Sequence, residues 1–363
     1  MLTLDVAVTL SLLPGRARYD AAARIRDRWL DTQSAPQASW TPERLVREAA
    51  PDHATDAALL HRLHGAAVRA VSRAEAAGLV PITLTDPRYP ARLMLIPDPP
   101  LVLWTRGSPD VVRAPAVAMV GARAATPAGR ELARWLAAEL TTAGLVVVSG
   151  LARGVDAAAH EGALSVGRTV AVLGSGTDVV YPPNHRALAD RIADRGALVS
   201  EFVPGTAPHA HHFPLRNRII SGLAIGVVVV EAAERSGSLI TARCALEQGR
   251  DVMACPGNPR SGRNRGAHGL LRDGARLVES VEDVLDEIGW ERVGAGPSSP
   301  EGAGGAVADP LLSSMPVGEP LTLEELGAIV SAPASALLAR LTELELAAQV
   351  ERVEGGRFVR VAR

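Results

Sequence analysis

The 363 residues contain no lysine; all 38 basic residues are arginine. That excludes a Schiff-base lysine, a lysine-bearing phosphate loop and a nucleotidyl-lysine intermediate. Only two cysteines occur, Cys244 and Cys255. They cannot build a disulfide framework and their spacing is not a zinc pattern, so a reduced, cytosolic setting is the simplest expectation. Aromatic residues are 3% of the chain, too few for a row of base-stacking platforms. No apolar run approaches the roughly 20 residues of a spanning helix. Residues 2–13 are interrupted by Asp5 and lack a basic lead-in, so a signal peptide is not expected there. The formal net charge of -2 excludes a global polycation but leaves room for a local basic face. With 47% hydrophobic and 21% charged residues, the chain has material for two or three folded domains.

Composition divides the chain into parts. Residues 1–77 carry helical patterns at 17–30, 41–49 and 55–77, with Thr41-Pro42 as a cap and first-turn pair. Residues 78–113 are proline-rich, with short apolar runs that suit one or two strands. Between 114 and 290 apolar strand candidates fall at 116–120, 145–149, 169–173, 197–200, 226–230, 251–254 and 276–278, most separated by helical stretches. Continuous rather than alternating apolar strands mean burial on both faces, hence a mostly parallel sheet of α/β type with helices on each side. Residues 291–312 have the composition of a linker. In 313–363, Thr322 and Glu325 form a capping-box signature, a second helix is expected over 334–346, and 350–353 and 357–361 flank a Glu-Gly-Gly hairpin signal. Helix, helix, β-ribbon is the order of a winged helix.

Glycine and small polar residues cluster where parallel strands should end. Gly121 and Arg123 follow the first strand. Ser149, Gly150, Arg153 and Gly154 follow the second, and Gly174, Ser175 and Gly176 the third. Ser236, Gly237 and Ser238 follow the strand that ends near Glu231, and Pro256 and Gly257 the next. Ligands of open parallel sheets bind beyond the carboxyl ends of strands, where helix N-termini offer free N–H groups. Tight turns need glycine anyway, but five such loops along one edge point to an anion. The dinucleotide fingerprint fails, since neither Gly121-Ala122-Arg123-Ala124-Ala125-Thr126 nor the 174–179 run matches Gly-x-Gly-x-x-Gly. Segment 216–276 holds ten arginines against five acids, +5 in a chain of net -2. That is the balance of a phosphate-tracking groove, or of a solvated face with ion pairs inside its helices. Arg216, Asn217 and Arg218 at the head of an apolar helix supply the donors that phosphate or base-edge recognition needs.

Catalytic signatures are weaker. His160, His185 and the run His209, His211, His212 offer bases or ligands. There is no Gly-x-Ser-x-Gly elbow and no His-Glu-x-x-His helix, so we expect no metal and no cofactor. Asp156 and Asp178 suit loop ordering better than paired acid–base work, and both cysteines suit packed thiols. Tyr181 and Phe213 are the aromatic candidates near the glycine-rich edge, each equally suited to a core.

Taken together, Gly121-Ala122-Arg123, the stretch Ser149 to Asp156 with Ala159 and His160, Ala171 to Asp178 with Tyr181 and Pro182, Phe213 to Gly222, Glu231 with Ser236 to Ala242, and Gly249 to Val252 with Pro256 and Gly257 resemble the DNA-processing protein A (DprA, also Smf) family. The match is in order and spacing, and it covers about 80–290. The resemblance implies an extended Rossmann-like domain, a SAM-like helical N-terminus and an optional winged helix. It implies a non-enzymatic protein that binds single-stranded DNA, protects incoming strands and loads the RecA recombinase in natural transformation, as a homodimer. Carried over residue by residue, it puts Arg123 and Arg168 on DNA, Arg168 standing where relatives often have lysine, with Phe213, Arg216, Asn217 and Arg218 in the same pocket. It makes Leu270, Leu271 and Leu277 the dimer-interface candidates.

The expected mechanism is strand capture along the carboxyl edge by Arg123, Arg153, Arg168, Arg216 and Arg218, with backbone N–H groups of 174–178 and 236–238 on phosphates. Helix 334–346 carries Glu343 and Glu345, which would repel a duplex, so a regulatory or protein-contact role is expected of the winged helix. The rival class is a nucleotide hydrolase resembling the lysine-decarboxylase-like phosphoribohydrolases. Their Pro-Gly-Gly-x-Gly-Thr-x-x-Glu loop is missing here, where Pro256-Gly257-Asn258 stands instead.

Overall fold

A computed structural model describes residues 2–31, 57–292, 309–316, 320–330, 333–347, 349–353 and 355–361. The expected helix over 41–49 and most of the linker fall outside the described residues.

Among the described residues three helices come first: α1 (Leu4–Ser11), α2 (Ala17–Asp31) and α3 (Ala57–Ala76). The α/β region follows as β1 (Val80–Thr83), α4 (Ala91–Met94), β2 (Val102–Gly107), β3 (Ala116–Val120), α5 (Pro127–Thr142), β4 (Val146–Ser149), α6 (Val155–Val166), β5 (Thr169–Val172), α7 (Arg186–Arg195) and β6 (Ala197–Ser200). It continues through α8 (His212–Leu223), β7 (Gly226–Val229), α9 (Ser238–Glu247), β8 (Asp251–Ala254), α10 (Arg265–Arg272), β9 (Arg276–Leu277) and α11 (Val281–Glu287). The expected strands are present, several a residue shorter than the apolar run that marks them.

The nine strands form one sheet in the order β1-β2-β6-β5-β4-β3-β7-β8-β9. β3 to β9 pair in parallel, while β1 and β2 join antiparallel at one edge. Side-chain alternation explains the apolar continuity of the strands. Ala116, Ala118 and Val120 of β3 face one core with Ile219, Ile220 and Leu223 of α8. Val117 and Met119 face the other with Leu136 and Leu140 of α5. Each buried valine or leucine contributes about 1.5–3 kcal/mol to burial. Leu2, Val6, Leu10 and Ile25 of the N-terminal helices join the same cluster as Ile82, Trp104 and Ile219. These helices therefore share a core with the sheet.

The chain passes outward from β3 through β4 and β5 to β6, then returns along α8 to β7 on the other side of β3. This reversal opens a crevice at the carboxyl ends of β3 and β7, where an open α/β sheet places its ligand.

The C-terminal unit is a winged helix. It comprises α12 (Pro310–Ser314), β10 (Pro320–Leu321), α13 (Leu323–Val330), α14 (Ala334–Leu346), β11 (Val350–Val353) and β12 (Arg357–Arg360), with strand order β10-β12-β11. Leu326, Leu337, Leu341, Leu344 and Phe358 form its own core. The capping box forms as read: Thr322 N–H and Oγ1–H donate to Glu325 Oε2, and Glu325 N–H donates to Thr322 Oγ1.

Candidate nucleic-acid interface

The loop after β3 is drawn in tightly. Ala122 N–H donates to Glu231 O at 2.7 Å, and a Cβ on Gly121 would lie 2.5 Å from Val155 Cγ2, so only glycine fits. Thr126 caps α5 by accepting from Gly129 N–H at 3.0 Å. The buried Glu231 carboxylate accepts from Thr126 N–H at 3.1 and 3.2 Å and from Thr126 Oγ1–H at 2.6 Å. The positive end of α5, where a dinucleotide fold would seat its pyrophosphate, is thus filled by a carboxylate of the chain itself.

The loop after β4 is closed by Asp156, which accepts from Gly150 N–H at 3.1 Å and Ala152 N–H at 3.3 Å. Burial pushes the Asp156 carboxyl up, against the opposing influence of Arg216, the two amides and Arg123. Leu151 takes a left-handed φ of 57° and is fully buried; its carbonyl is bonded at 3.0 Å by His185 Nδ1, which must carry the proton. Local strain of this kind persists only where packing and hydrogen bonds enforce it.

Arg216 bridges this loop to the end of β5. Nη1 donates to Val172 O at 2.6 Å and Nε to Asn217 Oδ1 at 3.0 Å, and the guanidinium covers Gly150. Burial lowers its pKa to about 10, Asp156 opposing, so it stays charged at neutral pH. Above it, the exposed Arg123 holds its guanidinium 5.3 Å from the Phe213 ring centroid, a cation–π distance, and Phe213 lies 5.6 Å from Tyr181 at a 43° tilt.

The fourth wall is the start of α9. Ser236 and Ser238 share a hydroxyl contact of 2.8 Å, and Asn217 Nδ2 donates to Gly237 O at 3.4 Å. A side chain on Gly237 would meet open space, but the N–H groups of Ser236, Ser238, Leu239 and Ile240 donate to Ala233 O, Ser236 Oγ, Ser236 O and Gly237 O, which leaves the Gly237 N–H and the two serine hydroxyls for a ligand. Together these walls enclose a cleft of about 800 Å³, with a second lobe of about 340 Å³ that shares Arg123, Tyr181, Phe213 and Arg216. Arg153 and Arg235 stand exposed at the rims. The assembly offers fixed cations, an exposed glycine and two hydroxyls at a helix start, and an aromatic pair, the chemistry that holds a phosphodiester and its base.

Several expected site residues lie elsewhere. Arg168 precedes β5 and so sits at the amino edge of the sheet, opposite the cleft. Arg218 is buried and paired with Glu201 at 2.7 Å and Asp98 at 2.9 Å. Burial alone would lower its pKa, but Glu201 and Asp98 raise it. The 174–177 loop is buried and internally bonded: Gly176 N–H donates to Thr206 O and Ser175 Oγ–H to Val179 O, which leaves little for a phosphate. Ser149 is fully buried, its hydroxyl on Met119 O.

His160 is a core residue, its Nδ1 bonded at 2.8 Å to Thr169 Oγ1, and burial pushes its pKa down to about 3. His212 is buried, stacked on Phe202 at 4.0 Å, with Nδ1–H on Gly174 O. No cluster of three metal-ligating side chains occurs among the described residues. Burial also pushes the Cys255 thiol up to about 12, which makes it inert at neutral pH. No helix among the described residues is long and apolar enough to cross a membrane. Sequence reading missed Glu231 as the occupant of the α5 terminus, whereas Asp156 orders the loop after β4 as read, its charge also acting on Arg216. The sequence signal for Glu231 was a carboxylate two residues beyond a strand end.

Comparison with known proteins gives a consistent picture. A family model described as DNA recombination-mediator protein A matches residues 81–289, and one described as the DprA winged helix domain matches 296–356. Protein Smf of Escherichia coli K12 is 40% identical over 283 residues, covering 76% of this chain and 75% of the relative. DNA processing protein DprA of Streptococcus pneumoniae R6 is 46% identical over 207 residues, covering 57% and 73%. Among solved structures, DNA processing protein A from S. pneumoniae superposes with a TM-score of 0.68 at 35% identity, over 79% of this chain and 99% of that one. DNA processing protein A from Helicobacter pylori, solved for its single-stranded DNA binding mode, does so with 0.53 at 28% identity, over 58% and 95%.

Proposed function

Since this chain belongs to the DNA recombination-mediator protein A (DprA/Smf) family, we propose that it is a single-stranded-DNA-binding protein without catalytic activity. In this reading it shields incoming strands and loads RecA recombinase onto them in the cytoplasm during natural transformation or recombination. The observation that carries it is the joined cleft in which Arg123 lies over Phe213 beside Tyr181, with Arg216 in the floor and the start of α9 opposite. The strand path runs past Arg153, Arg123 and Arg235, with phosphate at Ser236, Gly237 and Ser238; Arg168 and Arg218 lie off it.

The functional units we propose are a helical SAM-like unit over 1–77, the strand-binding unit over 78–290, a linker over 291–312 and the winged helix over 313–363. A homodimer would pair through the sheet edge at β9, where Leu277 is 42% exposed and Leu270 and Leu271 are half-buried. Pairing there would extend the cleft across two subunits.

One observation favours a second reading, a nucleotide hydrolase: the Asp156 carboxyl in the cleft is held above its ordinary range. Two measurements on the purified chain separate the readings. Fluorescence anisotropy of labelled single strands and duplexes should show a single-strand preference. Incubation with nucleoside monophosphates should release no base. Base release without strand preference would replace the first reading by the second.

A further inference from the structure

The winged helix carries a surface that DNA would not choose. In α14 the exposed positions 338, 342, 345 and 346 fall on one face. They are Leu338 (44% exposed), Thr342, Glu345 and Leu346 (85% exposed), with Glu343 exposed alongside. Three of its arginines make contacts within the unit. Arg340 is bound to Asp309 and Glu343. Arg360 donates to Leu312 O and Met315 O, and Arg352 stacks on Phe358 at 5.6 Å. An acidic, leucine-bearing helix face wants a partner that is both cationic and apolar.

The strand-binding cleft has that character. Arg123, Arg153 and Arg235 supply exposed charge, and Tyr181, Phe213 and Ile240 supply apolar wall. The chain length allows the two to meet. Trp290 donates its indole N–H to Ala143 O, at the end of α5 away from the cleft. α5 has 16 residues and is therefore about 24 Å long. The stretch 293–308 between the described parts has 16 residues and spans at most about 55 Å when extended.

We propose that the Leu338–Glu345–Leu346 face of α14 docks into the arginine-rich cleft of its own chain and competes there with single-stranded DNA. This rests on the strand-binding reading of the cleft. The Glu345 carboxylate stands in for a phosphate and the leucines for bases against Phe213 and Tyr181. Tethering makes the encounter intramolecular, so a weak contact is enough to lower the apparent affinity for a strand. A strand long enough to contact several arginines displaces the helix, so occupancy of the cleft becomes selective for long single strands.

The test uses the full chain. Glu345→Gln with Leu346→Ser removes the charge and the apolar contact of the face without adding a cation, and both positions are exposed, so folding should be untouched. A short labelled oligo-dT should bind this variant about three- to tenfold more tightly than the parent chain, with a smaller gain for a long strand. A second chain, with Glu234→Cys at the cleft rim, Leu346→Cys on the helix and Cys244→Ser, is treated at low concentration with a bismaleimide, without DNA. An intramolecular cross-link that excess long oligo-dT suppresses is the expected result. Unchanged oligo-dT affinity in the double variant, with no cross-link, overturns docking while leaving strand binding intact. Cross-linking only between molecules overturns the same-chain contact. If the parent chain binds no strand, the cleft reading fails, and the DNA-free cross-link still decides docking.

Discussion

The guanidinium of Arg216 occupies the space where a side chain on Gly150 would begin. A Cβ there would lie 1.9 Å from Arg216 Nη1 and 2.2 Å from Cζ. The glycine after β4 is thus required by a cation of α8 rather than by turn geometry.

Gly150→Ala should therefore act on Arg216. The displaced guanidinium loses its bond to Val172 O and its place in the cleft floor. A charge-assisted contact is worth about 1.5–3 kcal/mol, so single-strand affinity should fall about tenfold or more. Anisotropy titration checks this, with circular dichroism to confirm that the fold persists.

Arg218→Ala should separate stability from binding. It leaves Glu201, whose side chain is 9% exposed, without its cation. Breaking a buried pair in this way costs about 3–5 kcal/mol. Urea unfolding should show a loss of that size. Below the transition, strand affinity should stay within about twofold of the parent chain, because Arg218 faces away from the cleft. A strongly weakened complex in a fully folded variant would return Arg218 to the interface.

Asp156 makes a prediction about pH. Burial raises its carboxyl above the unfolded value of about 3.9, so the folded chain holds this proton more readily than the unfolded chain. Its contribution to stability therefore falls as pH rises from about 4 through the raised value. Asp156→Asn keeps an acceptor for the Gly150 and Ala152 amides and removes the titration. The stability difference, variant minus parent, should grow as pH rises from 4 to 7 in paired urea series. A difference that shrinks would mean that the carboxylate is favoured in the folded state.

Phe213→Leu should keep the packing against Gly174 while removing the ring that Arg123 and Tyr181 share. Base–aromatic stacking is worth about 1–3 kcal/mol per base. Affinity for a base-bearing strand should drop accordingly, while affinity for an abasic strand of equal length should change little.

Much of this architecture is legible in the residues. β3, β4, β5 and β7 announce themselves as unbroken apolar runs because both faces of the sheet are covered, and the Thr322–Glu325 cap and the Gly355-Gly356 turn are local chemistry. What fails is direction. Arg216 and Arg218 are two positions apart on one helix, about 200° around its axis, so they cannot face the same ligand. One meets the cleft, and the other meets Glu201 and Asp98 on the far side. Arg168 lies one residue before a strand whose far end borders the site, so its glycine and threonine neighbours gave no sign of the edge. Glu231 fills the α5 terminus from 105 residues away, a relation that only the β3–β7 pairing creates.

In the proposed complex Arg123 contacts a strand phosphate over Phe213. The most direct measurement is the salt dependence of oligo-dT binding to the parent chain and to Arg123→Ala. Each lost phosphate contact lowers the slope of log K against log salt by about 0.7 for a single strand. The variant should bind more weakly, with a slope shallower by about that amount. Equal affinity and an equal slope would contradict that contact.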